Sequence, residues 1–314
     1  MPPSDEEFDA WLRSLLKRLD LRWAAYRKKR KTVRKRMDSR ARRIGLDSWR
    51  EYARYLDDHP REWTHLSEVL AITVSRFFRD PPLFEHLARD VFPRIAEMGS
   101  GRLVAWSAGC ASGQEAYTLA VLWEAFCSPR PGAPRLEILG TDVDAASLKR
   151  AGNAAFLKSE IEWVPASLRE LHFHKEDDVY RLRPETASRA RFFRHDLLRD
   201  PYPDEVHLLL CRWSAFFYFG DSLQMRVLSK FSESLVDGGF LVIGKHETLP
   251  GEWSQDFDPA EGRKDVFIRK PRGRPGFLTD PQGGRAASSA QGGPLEGQQA
   301  RVHPEGATGS LSAR

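Results

Sequence analysis

An apolar run, a turn of small residues and a helical run follow one another at 103–120, and this order constrains the fold more than any other feature. Residues 103–106 are apolar or aromatic and predict a buried strand. The turn at 107–113 contains two glycines, and apolar side chains then recur at helical spacing from Ala116. A strand, a glycine turn and a helix in this order open the doubly wound α/β folds that bind nucleotides.

The spacing of the two glycines narrows the kind of ligand that suits this turn. Gly109 and Gly113 are separated by three residues, whereas a dinucleotide site needs the spacing Gly-x-Gly-x-x-Gly. The turn also lacks the Gly-Lys-Ser/Thr of a phosphate-binding loop. Glu115, directly after the turn, would repel a phosphate and attract a cationic ligand. An ordinary tight connection between a strand and a helix is the alternative interpretation.

An acidic residue follows the second predicted strand, where a ribose would lie. Residues 136–142 predict a strand that ends in Asp142. In doubly wound folds an acid at this position commonly accepts hydrogen bonds from ribose hydroxyls. The alternative role is a helix cap, since either Asp142 or Asp144 could cap the helix predicted at 145–151.

A later buried strand, predicted at 206–211, adds three candidate site residues. It is followed closely by Arg212, Trp213 and Tyr218. Because ligands bind outside the carboxyl ends of parallel strands, we expect these side chains to lie near the cleft.

The segment at about 155–195 departs from the alternation of strands and helices in a doubly wound fold. Residues 179–183 and 190–194 each show the two-residue alternation that is typical of short strands. We therefore expect both segments to belong to a small antiparallel insertion.

Length and pattern divide the chain into a helical domain, an α/β domain and a tail. With 314 residues, 41% of them hydrophobic, the chain is long enough for one sizeable core and a smaller domain. Helical spacing predicts a helical domain at 1–75, and a linker with a lead-in helix at 76–100. The α/β domain is expected at 101–270. Residues 271–314 contain few large apolar side chains, so we expect a disordered tail there.

The positive charge of the chain is concentrated in one segment of the helical domain. The formal net charge is +5, and residues 27–43 contain eleven Lys or Arg with one acid, Asp38. This excess predicts a docking surface for an acidic partner, and the alternative is a solvated helix face. Aromatic residues that could stack on bases are not interleaved with the cations, so we expect no nucleic-acid partner.

Cysteine usage and hydropathy point to a cytoplasmic location. The three cysteines, Cys110, Cys127 and Cys211, lack the spacing of metal ligands, so we expect a reducing compartment and no metal. The N-terminus lacks the charged and apolar regions of a signal peptide, and no apolar run reaches the length of a membrane span. We therefore expect no direct membrane insertion.

Short motifs along residues 8–270 match, in order, the pattern of a known family. They are Arg34-x-Arg36, Arg40-x-x-Arg43-x-Gly-Leu46, Phe77-Phe-Arg-Asp80, Trp106-Ser-Ala-Gly-Cys110, Gly140-Thr-Asp-Val143, Cys211-Arg212, Tyr218-Phe219 and Gly238-Gly239. In this order they resemble the CheR-type methyltransferases, which methylate glutamates of chemotaxis receptors with S-adenosylmethionine as the methyl donor.

The resemblance implies a fold, a reaction and a partner. The expected fold is α/β, with an N-terminal all-helical domain before a doubly wound, Rossmann-like class I methyltransferase domain that carries a small antiparallel β insertion. The implied reaction is protein-glutamate O-methylation, with S-adenosylmethionine as cofactor and S-adenosylhomocysteine as product. The implied partner is the acidic helical cytoplasmic domain of chemotaxis-type receptors.

The resemblance also implies three groups of site residues. Those of the cofactor site are Thr73, Ser75, Arg79, Ala108, Gly109, Gln114, Glu115, Asp142, Asp196, Leu197, Arg212 and Trp213. Those with a catalytic role are Arg79 and Arg212, which would orient the acceptor carboxylate, and Tyr218, which would shape the transfer site. Those that dock the substrate are Arg34, Arg36, Arg40 and Arg43.

Three positions depart from the family pattern. Gln114 stands where the family has a glutamate, and Asp196 and Trp213 stand where it has asparagines. Two alternatives therefore stay open. The scaffold could methylate another protein or a small molecule, or it could act as a non-catalytic regulator that binds the cofactor or has lost it.

Overall fold

The computed structural model describes residues 5–72, 75–99 and 101–272. The predicted cofactor residue Thr73, and the predicted tail beyond Arg272, lie outside the described residues. The fold class predicted from the sequence is confirmed, because an all-helical region precedes a Rossmann-like domain with a mostly parallel sheet and a small antiparallel sheet. Within the described ranges, no helix is both long enough and apolar enough to cross a bilayer.

Amphipathic helices build the N-terminal region around a core of their own. They are α1 (Asp5–Arg18), α2 (Trp23–Tyr26), α3 (Arg30–Arg43), α4 (Trp49–Asp58) and α5 (Trp63–Leu70), with a 3-10 turn at Pro60–Glu62. Helix α3 ends just before Gly45, whose φ of 80° lies in the left-handed region that favours glycine. Ser48 caps α4 by accepting a hydrogen bond from the backbone N–H of Glu51 at 3.4 Å. The buried faces pack around Met37 and Tyr52.

A second helical segment leads into the α/β domain. It consists of α6 (Pro81–His86), a π-helical turn (Leu87–Val91) and α7 (Phe92–Met98). The preceding aromatic pair, Phe77 and Phe78, is buried in the α/β core. The Phe77 ring lies 4.8 Å from that of Phe156, centroid to centroid, in an edge-on contact. These contacts fix the linker onto the core.

The described part of the α/β domain contains two sheets. The strands are β1 (Arg102–Ala108), β2 (Arg135–Asp142), β3 (Ala155–Leu157), β4 (Phe173–Glu176), β5 (Val179–Leu182), β6 (Ala190–Arg194), β7 (Val206–Cys211), β8 (Leu235–Ile243), β9 (Phe257–Pro259) and β10 (Val266–Arg269). The larger sheet has the order β6-β2-β1-β7-β8-β10-β9, parallel from β6 to β8 and antiparallel at β10 and β9. The strand order reverses between β1 and β7, so ligands are expected at the carboxyl ends of these strands.

Seven α-helices follow β1 along the described part of the α/β domain. They are α8 (Gln114–Phe126), α9 (Ala145–Asn153), α10 (Lys158–Ile161), α11 (Ala166–His172), α12 (Pro184–Ala187), α13 (Ala215–Tyr218) and α14 (Asp221–Ser234). Two of them, α10 and α11, pack against the small sheet. In β1, Leu103 and Ala105 pack into one apolar core, whereas Val104 and Trp106 pack into the other. Burial on both faces explains why the sequence of this strand is apolar without alternation.

The prediction that 190–194 belongs to the antiparallel insertion was wrong. The small sheet has the order β3-β5-β4, whereas β6 pairs in parallel with β2 at the edge of the larger sheet. An edge strand leaves one face partly exposed, so β6 shows the same alternation as a hairpin strand. Alternation alone could not distinguish the two positions, and the antiparallel insertion ends before Ala190.

The segment between α1 and α2 joins the helical region to the α/β domain. Leu21 forms an isolated antiparallel bridge with Phe219. The backbone N–H of Arg22 donates to the carbonyl oxygen of Tyr218 at 2.8 Å. The carbonyl oxygen of Asp20 accepts the N–H of Gly220 at 2.6 Å. The helical region is therefore tied directly to the segment that carries Tyr218.

Candidate functional site

A cleft of about 260 Å³ lies at the carboxyl ends of the parallel strands and beneath the N-terminal helices. Residues that follow β1, β2, β6 and β7 supply its polar wall, with Gly109, Asp142, Asp196 and Arg212 among them. The opposite wall is largely apolar, and its residues come from the helical region: Leu19, Leu21, Tyr26, Trp63, Leu66, Leu70 and Ile72. The cleft is therefore built jointly by the two regions.

The turn after β1 brings the backbone close to the residues that follow β7. Gly109 and Gly113 have φ values of 86° and 87°, which favour glycine. A Cβ atom at Gly109 would lie 2.5 Å from Ser214 Oγ, so a larger residue there would displace the cleft wall. The carbonyl oxygen of Thr141 accepts the N–H groups of Gly109 and Cys110, each at 2.8 Å, and this fixes the turn against β2.

Asp142 lines the cleft at the end of β2 and holds two loops. Its Oδ2 accepts the backbone N–H of Ala111 at 2.9 Å, and its Oδ1 accepts that of Asp144 at 3.0 Å. Burial raises the pKa of Asp142, although these N–H groups favour the ionised form. The helix cap left open by the sequence is Asp144, whose Oδ1 accepts the N–H of Ala146. Asp142 is therefore available to a ligand, since each carboxylate oxygen can accept a further hydrogen bond.

Arg212, in the cleft wall, is the centre of a buried charge network. Its side chain is 1% exposed, and its Nη1 donates to Glu115 Oε2 at 2.9 Å. Its Nη2 donates to the carbonyl oxygen of Arg79 at 2.8 Å, and Ser107 Oγ donates to Glu115 Oε1 at 2.8 Å. Arg212 thus joins the ends of β1 and β7 to the linker through Nη1 and Nη2, while its buried Nε has no hydrogen-bond partner among the described residues.

Arg79 and Trp213 form a stacked pair beside the cleft. The Arg79 guanidinium carbon lies 4.7 Å from the centroid of the Trp213 ring. Burial, followed by the like charge of Arg212, lowers the pKa of Arg79. Trp213 has a φ of 55°, which is unusual for a bulky residue and marks a strained backbone position at the site.

Tyr218 lines the cleft where the two regions meet. Its ring centroid lies 5.1 Å from that of Tyr26 in α2. Burial is the main cause that raises the pKa of Tyr218 to about 12. Of the smaller effects, the charge of Arg79 lowers this pKa and that of Glu247 raises it. The hydroxyl is therefore protonated at neutral pH and can donate a hydrogen bond.

The structure brings only part of the predicted cofactor set to the wall of the cleft. Gly109, Asp142, Asp196, Leu197, Arg212 and Trp213 line it. Ala108 is buried at the end of β1, and Gln114 donates through Nε2 to Glu160 Oε1 at 3.2 Å, on the side of the antiparallel insertion. Ser75 is partly buried in the linker. These residues, with Glu115, lie behind or beside the wall and can act on a ligand only through it or after movement.

The four predicted docking arginines do not share one exposed surface. Arg40 forms two hydrogen bonds to Glu62, at 2.6 and 2.8 Å, and Arg36 donates to the carbonyl oxygen of Ala71. Arg34 contacts Asp5, and Arg43 alone of the four is fully exposed. Residues that sequence reasoning did not single out form the exposed basic surface of α3. We call Lys31, Lys35 and Arg42 the basic stripe, since their spacing puts them on one helix face.

Sequence reasoning also missed Glu247, a buried carboxyl group after β8. Its side chain lies next to Trp213, since a Cβ atom placed at Gly244 would be 2.7 Å from Glu247 Oε2 and 3.2 Å from Trp213 Cε2. The rule that drew attention to Asp142, an acid just beyond the carboxyl end of a parallel strand, would have found it.

Comparison with known proteins places the chain in one family. Residues 6–71 match the family model "CheR methyltransferase, all-alpha domain", and residues 73–266 match "CheR methyltransferase, SAM binding domain". The fold and the site therefore define an S-adenosylmethionine-dependent methyltransferase with a helical N-terminal domain. The chain belongs to the CheR methyltransferase family.

Curated relatives agree with this family. A "Chemotaxis protein methyltransferase" of Listeria innocua is 36% identical over 181 residues, which is 58% of this chain and 67% of that protein. One from Klebsiella aerogenes is 26% identical over 82% of this chain and 88% of that protein. An "Uncharacterized 104.1 kDa protein" of Rhodobacter capsulatus is 34% identical over 81% of this chain, which spans 26% of that protein.

We expect Asp142→Ala to weaken the binding of S-adenosylhomocysteine by about 1.5–3 kcal/mol, since a buried charged acceptor is lost. Isothermal titration calorimetry measures the change. Asp144→Ala is the matched control, because it removes the cap of α9 but leaves the backbone N–H that Asp142 accepts. Equal affinity in Asp142→Ala and the control would exclude Asp142 from the cofactor site.

Proposed function

We propose that the chain is a protein-carboxylate O-methyltransferase that acts in the cytoplasm on glutamate side chains in the acidic helical domain of chemotaxis receptors. The observation that carries this proposal is the position of Arg79 over Trp213, a residue of the cleft wall. A partly buried guanidinium suits an anionic acceptor, because it can contact both oxygens of a carboxylate. The Listeria and Klebsiella relatives are named chemotaxis protein methyltransferases, which supports a role in chemotaxis.

The cleft has the features that S-adenosylmethionine needs. Asp142 and Gly109 both line the cleft, and the Asp142 carboxylate would accept the ribose hydroxyls. Leu197 and the apolar residues of the helical region offer a surface for a flat base. When bound, the cofactor supplies an electrophilic methyl group and leaves as S-adenosylhomocysteine. The proposal requires no metal.

The main contribution of this chain to the reaction is to position the acceptor carboxylate against the methyl group. A glutamate carboxylate is already ionised at neutral pH, so the acceptor needs no general base. Arg79 is placed to orient the acceptor, and Arg212 holds the backbone of Arg79 through the 2.8 Å hydrogen bond to its carbonyl oxygen. Tyr218, which stays protonated, is placed to donate a hydrogen bond at the mouth of the cleft. Arg212 is therefore assigned a positioning role in place of direct contact with the acceptor.

The basic stripe of Lys31, Lys35 and Arg42 supports an acidic partner. Its side chains are exposed on one face of α3, whereas the opposite face of this helix packs around Met37 in the helical core. Helix α3 is linked to the cleft through Arg36, which donates to the carbonyl oxygen of Ala71, a residue that lines it.

The test is a methyl-transfer assay with labelled S-adenosylmethionine and an acidic receptor fragment from the same genome. A glutamyl methyl ester releases its label as volatile methanol in mild alkali, whereas N-methyl and ether products resist it. Alkali-labile label on the fragment supports the proposal. Alkali-resistant label contradicts a carboxylate acceptor, and binding of the cofactor without label on any fragment favours the non-catalytic regulator.

Neutralising the basic stripe should weaken partner binding and leave the cofactor site intact. For Lys31→Gln, Lys35→Gln and Arg42→Gln combined, we expect a loss of about 1–3 kcal/mol at low salt, from three exposed charge pairs. High salt should reduce the difference, since exposed charges are then screened. Binding to an immobilised receptor fragment at two salt concentrations measures it.

The matched control neutralises three exposed cations of the α/β domain, Arg130, Lys149 and Lys264. If both triple variants bound the fragment equally, the basic stripe would be a solvated helix face only. Unchanged affinity for S-adenosylhomocysteine shows that the cofactor site is preserved.

A further inference from the structure

Glu247 is a buried acid that none of the roles described above uses. Its side chain follows β8, and the residue is 7% exposed. The backbone N–H of Gly244 donates to Oε2, and the carbonyl oxygen of Gly244 accepts the N–H of Glu247 at 2.8 Å. Among the described residues, the buried Oε1 has no hydrogen-bond partner. A carboxyl group held on one side and unsatisfied on the other is costly unless it serves the site.

The surroundings of Glu247 connect it to the stacked pair beside the cleft. The backbone N–H of Trp213 lies close enough to favour the ionised carboxylate. Both side chains lie close to Gly244, since a Cβ atom there would be 2.7 Å from Glu247 Oε2 and 3.2 Å from Trp213 Cε2. Trp213 has the left-handed φ of 55°. The carboxylate therefore lies where it can hold a strained turn by a charge-assisted hydrogen bond.

We propose that Glu247 is a positioning residue of the transfer site, whose ionised carboxylate holds the Trp213 turn, and with it the indole on which Arg79 lies. The inference rests on the proposed methyl transfer for its effect on the rate, but the geometric link between Glu247 and Trp213 does not. Loss of the negative charge would release the turn and move the surface that supports the Arg79 guanidinium.

The charges that face Glu247 come from several elements. Arg212, after β7, favours the ionised form, and Glu115, from α8, opposes it. Arg79 in the linker, Tyr218 in α13 and Cys211 in β7 all respond electrostatically to the same carboxylate. His246, the adjacent residue, is exposed, and its ring centroid lies 6.1 Å from that of Trp213.

The balance of these effects places the ionisation of Glu247 in the physiological range. Burial is the largest cause and raises the pKa of Glu247 to about 7, against the two backbone N–H groups and Arg212. The carboxylate that holds the turn is therefore present above about pH 7 and is lost below it. We expect methyl transfer to rise with pH across this range.

The test compares the wild type with Glu247→Gln, which keeps the size of the side chain and removes its charge. At pH values above the pKa of Glu247, we expect kcat of the variant to be about tenfold lower than that of the wild type, since a small misplacement of site residues slows the reaction. The difference should disappear at low pH, where the wild-type carboxyl group is protonated. KM for S-adenosylmethionine should be nearly unchanged. The matched control is Glu261→Gln, an exposed acid whose replacement should leave the rate profile intact.

A second measurement does not depend on activity. The indole N–H signal of Trp213, assigned by its loss in Trp213→Phe, should shift with a midpoint of about pH 7 in the wild type. The shift should be absent in Glu247→Gln and present in Glu261→Gln. If Glu247→Gln does not fold, the wild-type titration still decides, because a Trp213 signal that is constant from about pH 5.5 to 8.5 overturns the proposal.

Two further results would also overturn the proposed role of Glu247. One is that folded Glu247→Gln has the same kcat and the same pH profile as the wild type. The other is that the Trp213 signal of this variant titrates as it does in the wild type. The failure of the proposed methyl transfer looks different, because then no fragment is methylated while the Trp213 signal still titrates through Glu247.

Discussion

Replacing Arg212 with alanine is expected to lower the free energy of unfolding by about 3–5 kcal/mol, because it removes a buried guanidinium and leaves the largely buried carboxylate of Glu115 without its charged partner. The Arg212 side chain is 1% exposed, and Glu115, which it contacts at 2.9 Å, is 14% exposed. The same change removes the hydrogen bond to the carbonyl oxygen of Arg79, so we also expect methyl transfer to fall by about 100-fold or more. Urea denaturation and the methyl-transfer assay measure the two effects.

A surface ion pair provides the matched control for Arg212. Arg102 bonds Glu137 at 2.8 Å, but the Arg102 side chain is 59% exposed. Arg102→Ala should therefore cost less than about 1 kcal/mol. Equal losses of stability in the two alanine variants would contradict the buried network.

A double variant separates the structural effect of Arg212 from its effect on the site. Arg212→Met with Glu115→Gln removes both charges, so neither is left buried alone, and we expect much of the lost stability to return. Methyl transfer should stay low, since the hydrogen bond that holds the carbonyl oxygen of Arg79 is still missing in the double variant. Recovery of both stability and activity would show that Arg212 has no positioning role.

The local structure around the cleft could be predicted from the sequence because it depends on neighbours along the chain. The turn after β1 needs residues that accept a positive φ, and Gly109 and Gly113 supply them. The strand before Asp142 is marked by its apolar run, and the doubly wound fold then puts its end at the cleft. The fold class followed from these elements together with the family motifs.

The partners of long side chains could not be predicted in this way. The sequence suggested that Arg212 and Arg40 contact a ligand or a partner. In the structure, each donates a hydrogen bond to a carboxylate that is distant in the sequence. The position of Glu247 after a parallel strand marks it as a candidate, but its burial could not be predicted, because that depends on the packing around Gly244 and Trp213. Strand β6 pairs with β2 at the edge of the larger sheet. The alternation of its side chains does not reveal which strand it pairs with.

The network around Arg40 gives the second large effect on stability, in the helical region. Glu62 is 7% exposed and accepts hydrogen bonds from Arg40 at 2.6 and 2.8 Å and from the Tyr52 hydroxyl at 2.8 Å. Burial alone would raise the pKa of Glu62, but the hydrogen bonds from Arg40 and Tyr52 hold it below its ordinary value. We expect Arg40→Ala to lower the free energy of unfolding by about 2–4 kcal/mol.

The pH dependence identifies the cause of that loss. A carboxyl group whose pKa is lowered by folding adds stability above its unfolded pKa, and this contribution disappears as the pH falls through the folded value. In Arg40→Ala, a protonated Glu62 no longer leaves a buried charge unpaired. The difference in stability between wild type and variant should therefore be large at neutral pH and shrink below the ordinary pKa of a glutamate. Arg43→Ala, at an exposed position of the same helix, should show little difference at any pH. A loss in Arg40→Ala that stayed constant down to acidic pH would place its origin in side-chain packing instead of in the charge of Glu62.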